Sequence, residues 1–204
     1  MKNPILKITG LVLGVALLSS GAYLGGLQLS GNFHEVVPDQ LYRSAQPSAP
    51  QLAAYVKQHG IKTVINLRGS SRGEWYADEV AEAARLGVRH IDFQMSARKI
   101  LTADRARELI ALLKDAPKPI LIHCQAGADR SGLVSSIYVQ QIANQSEEAA
   151  ERQLSFAFGH IGVRFLSSTV AMDDSWEKLE KELKTMSAMD DPDRDGAVHQ
   201  QVRG

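Results

Sequence analysis

The sequence predicts an α/β fold, in which a central, mostly parallel sheet carries helices on both faces and follows an N-terminal transmembrane helix. Short apolar runs alternate with amphipathic segments along residues 41–186, a pattern typical of strand–helix–strand units. One of these runs, at 119–122, leads into a tight loop that opens a helix. Because open parallel sheets bind ligands at the carboxyl ends of their strands, we expect the functional site at this loop.

The predicted elements have local signals at their ends. Ser48, Thr102 and Ser146 are suitable N-caps, and Gly60 and Gly87 are suitable helix stops. Strands rich in apolar and β-branched residues are expected at 41–43, 61–67, 88–93 and 119–122. Helices are expected at 48–60, 74–86, 102–114, 133–139, from 146 onward and within 163–186. The segment before the first strand is expected to be a short linker, at 30–40.

An uncharged stretch of 22 residues, from Ile8 to Leu29, follows Lys2 and Lys7 at the start of the chain. As a helix, it is long enough to cross a hydrocarbon core about 30 Å thick. Because both lysines precede it, the positive-inside rule puts the N-terminus in the cytoplasm and the following domain outside, in a periplasm if the cell is Gram-negative. A cleaved signal peptide is the alternative, since the small residues 20–22 would serve as a cleavage site.

Composition limits the function further. The 23 basic and 23 acidic residues give a formal net charge of zero, which argues against a broad nucleic-acid-binding surface. The single cysteine, Cys124, has no partner for an internal disulfide. We therefore expect an anchor or signal segment at 1–30, one globular domain at 31–186 and a disordered, acidic tail at 187–204.

The segment 123–132, with the sequence His-Cys-Gln-Ala-Gly-Ala-Asp-Arg-Ser-Gly, carries the strongest chemical signal. A loop that opens a helix aims several backbone N–H groups at one point, where the helix dipole adds about half a positive charge. Arg130 can bind two oxygens of a tetrahedral anion at once, and Cys124 faces the same positive field, which favours its thiolate. The pattern therefore predicts a nucleophile that attacks a phosphate group held in the loop.

This segment resembles the signature of the cysteine-based protein tyrosine phosphatase superfamily, in which His-Cys is followed by five residues, Arg, and then Ser or Thr. The residues that match it are His123, Cys124, Gly127, Arg130 and Ser131. The segments 41–47 and 64–68 are similar to parts of the dual-specificity, atypical (plant-and-fungi-like) branch, which also occurs in bacteria. The resemblance covers roughly residues 36–180.

The resemblance implies a dual-specificity phosphatase-like fold and a reaction that needs no metal and no cofactor. It implies that Cys124 is the nucleophile, that Arg130 binds the phosphate oxygens and that Ser131 donates to the sulfur in the second step. The residues expected to bind the substrate phosphate are those of the loop, namely His123, Gln125, Ala126, Gly127, Ala128, Asp129 and Arg130.

The general acid, which protonates the leaving oxygen, has three candidates. The resemblance implies an aspartate between about residues 88 and 104, where Asp92 is the first candidate and Asp104, in a capped first helical turn, is the second. Asp129, inside the loop itself, is the third. A reaction without a dedicated acid stays open, because the segment 94–101 contains no carboxylate, and such a reaction would favour aryl phosphates.

Three functions follow from these residues. The first is a phosphatase for phosphotyrosine, and for phosphoserine or phosphothreonine, in proteins. The second is a phosphatase for a phosphoinositide, lipid or sugar phosphate, in which Arg98 and Lys99 contact a further anionic group. The third is a module that binds phosphorylated ligands without turnover. The expected partners are a phosphorylated protein or small phosphate ester, and a membrane through the N-terminal helix.

Overall fold

The structure, a computed structural model, describes residues 4–163, 167 and 169–189. Its centre is a five-stranded sheet with the spatial order β1-β2-β5-β3-β4. The strands are β1 His34–Val37, β2 Leu41–Ser44, β3 Thr63–Asn66, β4 Arg89–Asp92 and β5 Ile120–His123. Only the β1–β2 pair is antiparallel among these strands, so the predicted parallel-rich sheet is confirmed.

The first strand, β1, corrects the prediction of a linker at 30–40. Its side chains are mostly half-buried, and Val37 is the one that is fully buried, so no strong apolar alternation marks it in the sequence. It forms because β2 offers it a free edge, with His34 paired to Arg43 and Glu35 to Tyr42. This pairing is a tertiary contact, which local sequence signals do not report.

The helices begin and end largely where the sequence predicts. Ser48 forms a capping box with Gln51, the Thr102 hydroxyl accepts from the backbone N–H of Arg105, and the Ser146 hydroxyl caps the short helix after it. Gly60 and Gly87 end their helices in the left-handed conformation. The helices are α1 Pro4–Leu29, α2 Ala49–His59, α3 Glu74–Leu86, α4 Ala103–Asp115, α5 Asp129–Gln141, α6 Glu147–Glu151 and α7 Val170–Met189.

Alternating side chains of the strands fill two separate apolar layers. Ile65 and Ile122 face α4, α5 and α7, while Val64 and Leu121 face α2 and α3. This period of two, repeated along β2, β3 and β5, places helices on both faces of the sheet, as the sequence predicts. The ends of β2, β3 and β5 meet at one edge, which becomes the floor of the site.

Helix α1 has two different parts. From Ile8 to Leu18 its large apolar side chains are exposed, by 62% and 77% at these two residues. It is the one helix of the described residues long and apolar enough, over Lys7–Leu29, to cross a membrane; a signal sequence has the same properties. Toward its end it packs on the domain, since Leu27 is buried and the Tyr23 ring stacks on Phe156.

The last helix of the described residues extends past residue 186, where the domain is expected to end. Helix α7 continues to Met189, three residues beyond the expected boundary at 186. The predicted disordered tail otherwise lies outside the described residues, at 190–204.

Candidate active site

The reactive loop runs from the end of β5 to the start of α5, as the sequence predicts. Strand β5 lies at the centre of the sheet, between β2 and β3, so it delivers Cys124 to the middle of the carboxyl edge. Cys124 is 2% exposed and lines a cavity of about 600 Å³. The loop residues Gln125, Ala126, Asp129 and Arg130 line the same cavity.

The loop packs tightly against the end of β2. Gly127 has a φ of +72°, a conformation that residues with a side chain rarely adopt. A Cβ built on Gly127 would lie 2.6 Å from the backbone nitrogen of Ala45 and 2.7 Å from the carbonyl carbon of Ser44. Glycine is therefore required here both for its backbone conformation and for the close approach of two main chains.

Arg130 and Ser131 lie in the first turn of α5, which begins at Asp129. Arg130 lines the cavity, and its Nη1 donates to the carbonyls of Leu67 (3.3 Å) and Met95 (3.5 Å). Its Nε and the Ser131 hydroxyl are both buried, and neither has a hydrogen-bond partner among the described residues. A buried donor without a partner is costly, so both atoms suit a site that binds an oxyanion. The structure thus brings Cys124 and Arg130 together on one cavity, whereas Ser131 is not among the described residues that line it.

His123 is held from behind the loop by a buried carboxylate. Glu79, which is 1% exposed, accepts from His123 Nε2 at 3.0 Å and from His90 Nε2 at 2.7 Å, and also from the Gln46 side chain. Burial alone would raise the pKa of Glu79, but these hydrogen bonds and the nearby His123 outweigh it and lower the pKa to about 2. Glu79, on α3, is a supporting residue that the sequence pattern did not reveal.

The three candidate acids lie in different places. Asp92, at the end of β4, accepts from Asn66 Nδ2 at 2.8 Å and from the Tyr76 hydroxyl at 2.5 Å, which raises the pKa of Tyr76 to about 12. Asp92 is not among the described residues that line the cavity. Asp104 is 89% exposed and pairs with Arg107, away from the loop. Asp129 alone of the three lines the cavity.

Asp129 is linked to a histidine that sequence reasoning missed. His160, 4% exposed, hydrogen-bonds through Nδ1 to Asp129 at 2.8 Å and through Nε2 to Asp173 at 3.0 Å. Burial would lower the pKa of His160, but the two carboxylates outweigh it and raise the pKa above its ordinary value. No sequence signal marks this chain of three groups, because the loop, the segment after the 3₁₀ turn at Phe156–Phe158, and α7 meet only in the folded structure.

Two further arginines line the cavity. Arg68 lies over the Trp75 ring, 3.6 Å from its centroid, and donates to Gln46 at 2.9 Å. Burial and the nearby Arg130 lower its pKa. Arg98 lines the cavity from the opposite loop, whereas Lys99 belongs to a smaller neighbouring cleft. The cavity therefore offers positive charge beyond the reactive loop itself.

Comparison with known proteins agrees with this geometry. A family model described as "DSP-PTPase phosphatase fused to NAD+ Kinase" matches residues 31–170. No curated protein matches the chain significantly.

Solved structures show the same fold at low sequence identity. The crystal structure of P. aeruginosa TpbA is 22% identical, with a TM-score of 0.59, and the match covers 73% of this chain and 85% of that one. PTPMT1 is 17% identical, with a TM-score of 0.61, over 78% of this chain and 99% of that one. The Siw14 catalytic core is 20% identical, with a TM-score of 0.57, over 78% and 90%.

The matched range of the family model contains the candidate site. The family model spans more than half of the chain and includes the whole loop that carries Cys124 and Arg130. The solved structures share its α/β fold. The chain therefore belongs to the DSP-PTPase family, within the superfamily of cysteine-based protein tyrosine and dual-specificity phosphatases.

Proposed function

We propose that the chain hydrolyses phosphate monoesters, with aryl esters such as phosphotyrosine preferred, through a cysteinyl-phosphate and without a metal. The observation that carries this proposal is the shared cavity of Cys124 and Arg130, in which the buried Arg130 Nε has no partner among the described residues. A thiolate and a guanidinium on one wall can attack phosphorus and bind its oxygens together.

In the first step, the Cys124 thiolate attacks phosphorus in line with the leaving oxygen. The S–P bond forms, the P–O bond breaks, and the leaving oxygen takes a proton. Arg130 and the loop amides hold the three equatorial oxygens, where charge spreads in the transition state. This preorganised field is the main catalytic contribution of the loop.

In this proposal the leaving oxygen takes a proton that passes from the protonated His160 through Asp129. Asp129 is the candidate carboxylate that lines the cavity, and the hydrogen bond to His160 gives it a second group that holds a proton. Asp173 holds the other face of the imidazole, which fixes the ring and supports its protonated form. In this mechanism the general acid is therefore Asp129, and not Asp92, the first candidate from the sequence.

In the second step, water attacks the phosphorus of the cysteinyl-phosphate and gives a proton back to Asp129. The S–P bond breaks and the thiolate is restored. The Ser131 hydroxyl, buried beside the loop and without a partner among the described residues, donates to the leaving sulfur. Inorganic phosphate then leaves the cavity.

Two comparisons support alternative substrates. A cysteine-to-serine variant of P. aeruginosa TpbA was crystallised with pTyr, which supports an aryl ester here. PTPMT1 was crystallised with PI(5)P, and Arg68 and Arg98 in the present cavity would suit the additional charge of a lipid or sugar phosphate. The second candidate is therefore a phosphatase for such a non-protein ester.

We also propose that α1 anchors the chain in a membrane, with the N-terminus in the cytoplasm and the phosphatase domain on the extracytoplasmic side. The exposed apolar side chains from Ile8 to Leu18 support this arrangement. In the alternative, a signal peptidase cleaves after Ala22 and releases the domain into the periplasm or medium. The size of the purified protein on a denaturing gel, with and without the first 22 residues, distinguishes the two.

A substrate panel tests the proposed reaction. The full chain in mild detergent is assayed with a phosphotyrosyl peptide, a phosphoseryl peptide, a phosphoinositide and an aryl phosphate. Preference for aryl esters supports the phosphotyrosine proposal, and preference for the phosphoinositide supports the second candidate. Binding of phosphate without turnover of any substrate would instead make the chain a phospho-ligand binding module.

The acid is tested with matched carboxamide variants. Asp129→Asn is expected to lower kcat for an alkyl phosphate by about 100-fold and for an activated aryl phosphate much less, because a poor leaving group depends on the acid. Asp115→Asn, at the exposed end of α4, is the control. If Asp92→Asn shows the leaving-group dependence and Asp129→Asn does not, the acid is Asp92.

A further inference from the structure

The outer side of the reactive loop has a hydrogen-bond donor for each of four consecutive carbonyls, those of residues 125–128. Gln125 accepts from the backbone N–H of Gln46 at 3.3 Å, and the next three accept from side chains. In a planar trans peptide, the carbonyl of one residue and the N–H of the next point in opposite directions. Donors that hold these carbonyls outward therefore turn the N–H groups of 126–129 toward the phosphate position.

Arg43 supplies two of these contacts from the end of β2. It is completely buried, and its Nη2 donates to the carbonyls of Gly127 at 2.9 Å and Ala128 at 2.8 Å. Its Nη1 donates to the carbonyl of Gln153 at 2.8 Å, and its Cζ lies 4.3 Å from the centre of the Phe158 ring. Burial lowers the pKa of Arg43 to about 10, and the charges of Cys124 and Asp129 oppose this lowering. At neutral pH Arg43 therefore keeps its positive charge where it contacts the Gly127 and Ala128 carbonyls of the loop.

Asn32 supplies the contact to the carbonyl of Ala126. It is completely buried, and its Nδ2 donates at 2.9 Å to both Ala126 and Phe158. Its Oδ1 is 2.9 Å from His34 Nε2, which fixes which way the amide faces. Gln28, in the last turn of α1, donates to the same Ala126 carbonyl at 3.1 Å and also lines the cavity.

The conformation of Asn32 is also specialised. Its φ is +44°, and its backbone N–H donates to the carbonyl of Leu27 at 2.7 Å, which closes the end of α1. Asparagine is among the few residues that tolerate this left-handed conformation. Asn32 therefore hydrogen-bonds both to the end of α1 and to the reactive loop.

We propose that Arg43 and Asn32 are positioning residues that hold the loop carbonyls outward and thereby set the affinity of the loop for a phosphate oxyanion. Gln28 adds one weaker, exposed contact from the end of α1. This inference rests on the proposed function, since it concerns the same phosphate-binding loop.

The test measures oxyanion binding and thermal unfolding of the full chain in mild detergent. The variants are Arg43→Lys and Asn32→Asp, with Arg85→Lys and Asn144→Asp as matched controls, since Arg85 is exposed and Asn144 is an exposed asparagine with a φ of +52°. Inhibition by vanadate gives the oxyanion affinity. Thermal unfolding reports on folding.

Both site variants are expected to weaken vanadate binding by about tenfold or more, because each changes the orientation of the backbone N–H groups that bind the oxyanion. The controls are expected to match wild type. Since a variant at a buried position can fail to fold, Gln28→Ala is included and is expected to weaken vanadate binding by about threefold at an unchanged unfolding temperature.

The results separate this inference from the proposed function. Wild type that neither binds vanadate nor turns over an aryl phosphate contradicts the proposed function. Wild type that does both, with folded Arg43→Lys and Asn32→Asp variants that keep wild-type vanadate affinity, overturns the positioning role. If the two variants do not fold, wild-type vanadate affinity in Gln28→Ala overturns it.

Discussion

Replacement of Glu79 by glutamine tests the buried support behind His123. The Glu79 carboxylate has a pKa of about 2 in the fold, against an ordinary value of 4.5. At about 1.36 kcal/mol for each tenfold change in proton affinity, this difference corresponds to about 3 kcal/mol of folding free energy at neutral pH. Glu79 is 1% exposed, so solvent screening reduces this figure little.

The pH dependence follows from the direction of the pKa change. Because the folded-state pKa lies below the unfolded one, the contribution of Glu79 is complete above about pH 4.5 and is lost as the pH falls toward 2. Glutamine does not titrate. The difference in unfolding free energy between wild type and Glu79→Gln is therefore expected to narrow by about 2 kcal/mol between pH 7 and pH 3.

Urea unfolding in mild detergent, followed by the fluorescence of the buried Trp176, measures this difference at each pH. Glu108→Gln is the control, because Glu108 is 58% exposed in its pair with Arg105 and its pair contributes little. If wild type and Glu79→Gln keep a constant difference from pH 7 to pH 3, the carboxylate is not the stabilising charge and the reasoning fails.

Three substitutions in the loop have separate expected outcomes. Cys124→Ser should reduce turnover of an aryl phosphate by about 1000-fold or more while vanadate still binds, and phosphate release compared with vanadate affinity checks this. Arg130→Lys should lower kcat/KM by about 100-fold, because lysine cannot bind two oxygens with the same geometry; steady-state kinetics with an aryl phosphate tests it. Gly127→Ala should lose vanadate affinity and at least about 2 kcal/mol of stability, since its Cβ would meet the backbone of Ser44 and Ala45. A Gly127→Ala variant with wild-type vanadate affinity and unfolding midpoint would contradict the close-approach argument.

Much of the fold could be predicted because its signals are local. Ser48, Thr102 and Gly87 mark helix ends through hydrogen bonds and backbone conformations within one turn of the chain. Strand β1 could not be predicted in the same way, because it depends on the edge that β2 offers. Its one fully buried side chain, Val37, gives too weak a pattern.

The residues of the site show the same difference between local sequence signals and tertiary contacts. Cys124 and Arg130 lie in one continuous segment, so the sequence shows both together with the loop that carries them. Asp92 lies beside Asn66 only through the register of β3 and β4, and His160 meets Asp129 only after the chain has folded over α5. Groups that are joined by tertiary packing leave no spacing in the sequence by which to find them.

If α1 is the membrane anchor proposed above, the contact of Gln28 with the cavity limits how far the catalytic centre lies from the bilayer. Gln28 lies in the last turn of the apolar segment Ile8–Leu29 and also lines the cavity. When the apolar part of α1 spans a bilayer, the catalytic centre is held at the level of the lipid headgroups. An ester attached to a lipid, or to a short juxtamembrane segment, then meets the nucleophile by two-dimensional diffusion, while a distant soluble ester must first approach the membrane surface.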